Sequence, residues 1–390
     1  MNSLKHILML LLFPAFTYAA TQTVTFDYYS EPVALLYETN LAPDFNVRAS
    51  EYSISEFYQI LEKSDFRSFL FQISNYKRKL NLNGYLQYDL IHKAVNSICN
   101  DKNGNYKTVL EWFLLSKSGY DTRLTHLGQA IFLYVYTNEN IYNIPIIQID
   151  NKDYICLTSI KYDYANNKNN TAYKVNLVPN PNGKSLSFAL KQLPALTSQP
   201  INKEILFAHR NELYRFEITI DKTLIDLMKD YPLVDELYYL EAPLSNTLQE
   251  SLVKKLAELI AKKSKQEAVQ FLLSFTRTAF AYKTDNDNFG KNKPMIPDEV
   301  LFYTHSDCED RSALFYALIK ELVKLPTIIV DYPEHLSVAV ALPENIGKPL
   351  FYKGRQYTLC DPTGPNNTDQ VGIYPEGYEQ LPYKVALSFR

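Results

Sequence analysis

The stretch Thr304-His305-Ser306-Asp307-Cys308-Glu309-Asp310-Arg311 constrains this chain more than any other. Ser306, with Glu309 three residues on, is the pattern of a capping box, in which each side chain satisfies a backbone N–H left free at a helix start. Apolar residues follow at Ala313, Leu314, Ala317, Leu318 and Leu322, a spacing that lines one face of a helix. Cys308 therefore falls in the first turn of a buried helix. The positive end of the helix dipole favours a thiolate there, and unpaired N–H groups can hold an oxyanion.

Such a nucleophile needs a base, and the residues downstream supply candidates. The helix is broken at Leu325-Pro326, and Thr327 to Val330 reads as a β-branched strand. His335 opens a second strand running to Leu342, and Leu350 to Cys360 returns, interrupted near Gly354. In an antiparallel pair the start of one strand lies beside the end of the next, so His335 and Asp361 are expected to be neighbours. Cys308, His335 and Asp361 then match a nucleophile, a general base and the carboxylate that orients it. By spacing alone His305 is an equally available imidazole. A lone cysteine is also most often a small core residue.

The totals permit this chemistry and exclude other classes. At 390 residues the chain has room for two domains. Its 46% hydrophobic and 21% charged content suits a packed core rather than disorder. A net charge of -3 gives no reason to expect nucleic acid or an anionic membrane as partner. Residues 1–19 read as a secretory signal: Lys5 and His6, an apolar run from Ile7 to Phe16, then Thr17-Tyr18-Ala19 as a small-residue cleavage pattern. No run approaches the length of a membrane span. An exported, periplasmic or extracellular protein is expected. Cys99, Cys156, Cys308 and Cys360 are too few and too scattered for a disulfide framework, and no C-x-x-C pair suggests zinc. Neither a metal nor an organic cofactor is expected.

Earlier in the chain, residues 21–45 are strand-like and Ser53 to Lys79 is helical, with Ser53 and Glu56 as a capping box. Tyr85 to Ile98 is a further helix, and Pro194 to Pro200 reads as a junction between residues 20–198 and 199–390. A weak internal repeat is also visible. Aligning Ser118 with Ser306 and Arg123 with Arg311 sets Tyr120 over Cys308. Aligning Ile144–Asp150 with Leu325–Asp331 sets Tyr154 over His335. The first copy would then lack both nucleophile and base. Tyr120 is expected to open a buried helix, and Tyr154 to lie on the strand that follows.

Ser306-Asp307-Cys308-Glu309-Asp310-Arg311, His335 at the head of an apolar strand, and Cys360-Asp361-Pro362-Thr363 together resemble the transglutaminase-like superfamily. The stretches Tyr282-Lys283-Thr284-Asp285, Pro297-Asp298-Glu299-Val300 and Asp331-Tyr332-Pro333-Glu334-His335 resemble a group of exported bacterial members. Trp112-Phe113-Leu114-Leu115 with Lys117-Ser118-Gly119-Tyr120-Asp121 is similar to the N-terminal half of that group. The resemblance implies an α+β chain with a papain-like helix-plus-antiparallel-sheet core, a degenerate first copy and an intact second one. It also implies Cys308 as nucleophile, His335 as base and Asp361 as its partner. Two positions depart from the pattern: Ser306 stands where members often have Gly, and no Trp or Gln near Pro294–Pro297 completes an oxyanion hole.

Two functions follow. One is a cysteine hydrolase or acyltransferase acting on amides of a peptide or protein through a thioester. The other is a non-catalytic binding or scaffold protein on the retained fold.

Overall fold

The computed structural model describes residues 20–158, 173–363 and 369–390. The signal expected over residues 1–19 lies outside them. The chain is mixed α and β, with two five-stranded antiparallel sheets.

The first half opens on an antiparallel hairpin of β1 (Thr21–Tyr28) and β2 (Glu31–Glu38). Helices α1 (Glu51–Leu61), α2 (Phe66–Lys79), α3 (Gly84–Ile98) and α4 (Gly104–Lys117) follow. The helical pattern from Ser53 to Lys79 is thus two helices. Ser50 caps α1 by accepting from Ser53 N–H, and Asp65 caps α2 by accepting from Ser68 N–H. Between them the Ser64 hydroxyl donates to the Leu61 carbonyl, a local bond that competes with helix continuation. Strands β3 (Thr122–Leu127), β4 (Ala130–Tyr136), β5 (Ile146–Ile149), β6 (Lys152–Cys156) and β7 (Tyr173–Lys174) form a sheet in the order β5-β6-β4-β3-β7.

The second half repeats this plan. Its hairpin is β8 (Pro200–His209) with β9 (Glu212–Asp221). Helices α5 (Lys222–Lys229), α6 (Glu236–Leu240), α7 (Asn246–Leu248), α8 (Lys254–Ile260) and α9 (Lys265–Thr278) come next. A short parallel pair, β10 (Ala281–Tyr282) with β11 (His305–Ser306), brackets α10 (Asp285–Phe289) and α11 (Pro297–Phe302). Then come α12 (Cys308–Leu318), β12 (Thr327–Tyr332), β13 (His335–Val340), β14 (Leu350–Tyr352), β15 (Arg355–Cys360) and β16 (Lys384–Phe389). The second sheet runs β14-β15-β13-β12-β16, the order of the first with each strand replaced by its counterpart. Helix α3 packs on β1 and α4, and α9 packs on β8 and α12 in the same way.

The registers agree as well. Thr122 to Leu127 pair with Val135 to Ala130 across a two-residue turn, and Thr327 to Tyr332 pair with Val340 to His335 across another. Ala130 therefore occupies the place of His335. Leu157 bonds back to Leu133 as Cys360 pairs with Val338, so Thr158 occupies the place of Asp361. Counted from the N-caps Asn103 and Asp307, Gly104 stands where Cys308 does. A π turn over Ile319–Val323 lengthens the second helix before Lys324, which takes the left-handed conformation that Gly119 takes in the first.

The repeat is thus present in a different register from the one its sequence suggests. Tyr120 lies beyond the C-terminus of α4 rather than opening a helix, and Tyr154 sits on β6 rather than on a counterpart of β13. Ile146–Ile149 forms the counterpart of β14, not of β12. Short apolar strands look alike in sequence wherever they stand in a sheet, and the false match was between two of them.

The two sheets each bury one face against helices. Ile131, Leu133, Val135 and Ile155 join the core of the first half, while Phe132, Tyr134 and Tyr154 form a smaller cluster on the outer face. Ile329, Val338 and Val340 join the second core, and Ile328, Val330 and Ala339 face outward into another small cluster. This is the period-two alternation of a strand. Helix α12 is buried from Asp310 to Leu318 without a break, so it is a core helix rather than a one-faced one. Leu314, Phe315 and Leu318 are each 0% exposed, and each full burial contributes about 1.5–3 kcal/mol. The connecting helices serve both cores: Leu224, Leu227 and Met228 join the first, Ile225 and Leu240 the second.

Gly183 lies where a side chain would collide with the backbone of Tyr120 and Asp121. That segment carries the chain from α4 into β3 and is tied to it by Asp121 N–H to the Lys184 carbonyl at 3.1 Å. Gly183→Ala is expected to lower stability by about 1–3 kcal/mol, read as the shift of the denaturant midpoint. An unchanged midpoint would show that this close approach is not a constraint on the fold.

Candidate functional site

Helix α12 starts one residue later than its sequence suggests. Asp307 is the N-cap, and Asp310 reaches back to accept from Asp307 N–H at 3.2 Å. Ser306 instead pairs with Tyr282 in the short parallel ladder, and its hydroxyl accepts from Arg311 Nε at 3.0 Å. Cys308 is thereby the first helical residue, where its N–H has no partner within the helix. The thiol is unbridged and half-buried.

The end of α12 is pressed onto the start of β13. The Ser312 hydroxyl donates to the Leu336 carbonyl at 3.2 Å. The adjacent His335 presents Nε2 to Asp361 Oδ1 at 3.2 Å. The antiparallel ladder brings this about, since the pairing of Val338 with Cys360 sends the next residue, Asp361, toward the head of β13, where His335 lies. Thr363 adds its N–H and hydroxyl to the same Asp361 oxygen, at 3.2 and 3.3 Å. Arg277 donates to the Asp361 carbonyl at 2.8 Å. Burial, the largest single influence, opposes charge on the Asp361 carboxyl, but the bond and charge of His335, the Thr363 N–H and Arg277 together outweigh it and hold its pKa below the ordinary range. The His335 ring also meets the Tyr378 ring edge-on at 5.3 Å. His305, the competing imidazole, bonds its neighbour Thr304 at 2.9 Å.

The thiol itself faces a carboxylate. Cys308 Sγ donates to Glu309 Oε2 at 2.9 Å, and among the described residues no hydrogen bond joins Cys308 to His335. Burial pushes the Cys308 thiol pKa far up, Glu309 adds to it, and the Leu336 backbone only partly opposes them. The thiolate favoured by a bare helix N-terminus is therefore not the resting form. Glu309, read from the sequence as a cap, is the partner of the thiol. Arg311 does not neutralise these carboxylates directly. Its guanidinium goes to Ser306, the Arg277 carbonyl at 3.3 Å and the Phe280 carbonyl at 2.8 Å.

Two features escaped the sequence reading. Asp285 of α10 joins Asp307 and Asp310, each offering one oxygen within 4.8 Å of the others. Oxygen donors so grouped suit a hard divalent cation, but Asp310 already accepts from Met295 N–H at 2.9 Å, and Asp285 from Lys293 N–H at 2.5 Å. Glu236 of α6, earlier in the second half, lies near Glu309. Burial, with Glu309 and Asp331 nearby, pushes its carboxyl up to about 7. Asp298 is likewise pushed up to about 7 by burial. Runs of Asp and Glu mark such places in sequence, but not which of them converge.

A carboxyl whose pKa is raised on folding stabilises the fold most below its unfolded value, near 4, and that contribution is lost as pH rises through the folded value, here about 7. The melting temperature is therefore expected to fall between pH 5 and pH 8, with a shallower fall in Asp298→Asn. A melting temperature that rises over this range would contradict the burial of these groups as acids. Glu309→Gln removes a charge that raises the Cys308 pKa, so alkylation of Cys308 by iodoacetamide at pH 8 is expected to quicken by about tenfold, measured by peptide mass spectrometry. An unchanged rate would show that Glu309 does not hold the thiol. No family model, curated protein or solved structure matches this chain.

Proposed function

We propose that the second half is a transglutaminase-like unit with a papain-like core, and that the protein is an exported cysteine hydrolase or acyltransferase acting on amides of peptides or proteins. The observation that carries this reading is the part-buried His335–Asp361 pair, 3.2 Å apart, at the strand ends against which the N-terminal turns of α12 are packed. A cysteine at a helix start with an oriented imidazole nearby is the arrangement acyl transfer needs.

In the proposed reaction His335 takes the thiol proton and Cys308 sulfur attacks the amide carbonyl carbon. The Cys308 N–H, free at the helix start, stabilises the oxyanion. The C–N bond breaks, the amine leaves with the proton from His335, and a thioester remains on Cys308. Water or a second amine then attacks that thioester, yielding a carboxylic acid or a new amide. For the first step the Cys308 S–H must turn from Glu309 to the imidazole. Asp361 holds the ring by Nε2, which leaves Nδ1 as the nitrogen that serves the thiol. Residues 1–19 serve as the export signal in this reading.

The Cys308–Glu309 bond favours a second reading. A protonated, carboxylate-bound thiol is a poor nucleophile, and a fold kept for binding would retain the His335–Asp361 pair only as a structural contact.

With a peptide-amide panel, Cys308→Ala and His335→Ala are expected to reduce turnover to background. Asp361→Asn is expected to cost about 10²–10⁴-fold by holding the wrong imidazole tautomer. Thermal unfolding of Cys308→Ala should stay within about 1 kcal/mol of wild type, because the thiol at a helix start packs little. Full activity in Cys308→Ala would end the enzymatic reading. Absence of any reaction with acyl donors in the wild type would leave the scaffold reading in its place.

A further inference from the structure

The His335–Asp361 bond holds one atom of the imidazole and leaves the ring to turn about it. His335 opens β13 directly after the turn Pro333-Glu334. Its side chain is 13% exposed, whereas that of Asp361 is 0% exposed. At 3.2 Å the bond is at the long end for an N–H donor, so water that reached it would compete for the carboxylate. The pair therefore needs a second contact, one that fixes the ring plane and covers the bond.

That contact comes from outside the ladder. Residues 369–383 form a strap between β15 and β16. Gln270 of α9 pins it by donating to the Asp369 carbonyl at 2.8 Å and accepting from Val371 N–H at 2.9 Å. Gly372 N–H donates to the Leu359 carbonyl of β15 at 2.7 Å. Ahead of β14, the Lys348 carbonyl accepts from the Tyr374 hydroxyl at 2.9 Å, and Lys348 Nζ donates to the Glu379 carbonyl at 2.6 Å. Gly377 then takes a φ of 83°, the left-handed region, and leads into the helical turn Tyr378–Gln380. Tyr378 is thereby set on the imidazole. Its ring meets the His335 ring at 5.3 Å and 78°, and the Tyr332 ring at 5.3 Å and 79°. Tyr332 pairs with His335 across the hairpin and is 3% exposed, so a buried ring backs Tyr378. Rings crossing at right angles attract, edge to face.

We infer that Tyr378 is a positioning residue: its ring fixes the plane of the His335 imidazole, keeps the ring proton on Nε2 and screens the bond to Asp361 from water. The inference rests on the proposed role of His335 as base. With the proton on Nε2, the free lone pair is on Nδ1, the nitrogen assigned to the Cys308 thiol. A ring free to flip would pass part of its time with Nδ1 on the carboxylate, in the tautomer that cannot take the thiol proton. A hydrogen bond kept from water also gains strength in the lower local dielectric. If Tyr378 only filled the outer cluster of the sheet, its loss would change melting and leave the tautomer as it was.

The test uses NMR of the full chain labelled with nitrogen-15 histidine, whose six imidazoles are few enough to resolve, with His335→Ala to assign the His335 signals. At about pH 9 an imidazole is neutral, and its two ring-nitrogen shifts report which nitrogen carries the proton. The wild type is expected to show one tautomer, protonated on Nε2. Tyr378→Ala should draw the two shifts toward their mean and speed exchange of the Nε2 proton with water by about tenfold. Tyr378→Phe keeps the ring and should keep the wild-type signature. With a peptide amide that the wild type turns over, Tyr378→Ala should lower kcat by about tenfold at unchanged KM. An unchanged signature in Tyr378→Ala, or the same loss in Tyr378→Phe, would overturn the inference. Loss of the signature in Tyr378→Ala, in a protein whose wild type turns over no amide, would uphold the role of Tyr378 and count against the enzymatic reading alone. If Tyr378→Ala melts early, Tyr378→Leu, which keeps bulk without an aromatic edge, replaces it with the same two outcomes.

Discussion

The pairing of Val338 with Cys360 decides what the candidate site can be. Side chains alternate along a strand, so a slip of one residue would turn Asp361 away from His335 and move every core residue of β15 to the other face. Thr358 and Cys360 are buried at 1% and 0% exposure, and such a slip would exchange them with their neighbours across a closed core. The same ladder is fixed on its other side by β12, whose Tyr332 faces His335. Helix α12, buried from Asp310 to Leu318, is seated with its Ser312 hydroxyl on the Leu336 carbonyl at the head of β13. The site is thus a consequence of packing rather than of local loop structure.

Two copies of one plan with different residues at corresponding places show which parts of it are structural. The hairpin turn, the strand order and the left-handed residue after the long helix recur in both halves. Gly104, Ala130 and Thr158 stand where Cys308, His335 and Asp361 do, and the first half packs its core without them. Those three residues are therefore not requirements of the fold. In the second half the added charges are costly: Asp307, Glu309 and Asp310 crowd one helix turn, and burial raises the pKa of Asp307 and Asp310. The bond from the thiol to Glu309 is part of that crowding.

Much of this could be read from the chain. The strands around His335 and Asp361 and their adjacency followed from Leu325-Pro326, the β-branched run after it and the break near Gly354. The helix after Cys308 followed from its apolar spacing. The cap was misplaced by one residue because Ser306 and Asp307 are both good caps, and Ser306 is taken by the β11 ladder, a long-range contact. The repeat was visible only in the wrong register, since the two halves share topology while their matching positions differ in chemistry. Asp285 approaches Asp307 and Asp310, and Glu236 approaches Glu309, from separate elements, and nothing in their spacing announces it.

The central proposal is that Cys308, assisted by His335 and Asp361, accepts the acyl group. A peptidyl vinyl sulfone, which alkylates a nucleophilic thiol by conjugate addition to give a thioether, followed by intact-mass and peptide mapping tests it most directly. The account predicts a single adduct on Cys308, lost in His335→Ala, with Cys99, Cys156 and Cys360 unmodified in their buried positions. An adduct that forms on Cys308 equally well without His335, or that forms on another cysteine in its place, would contradict it.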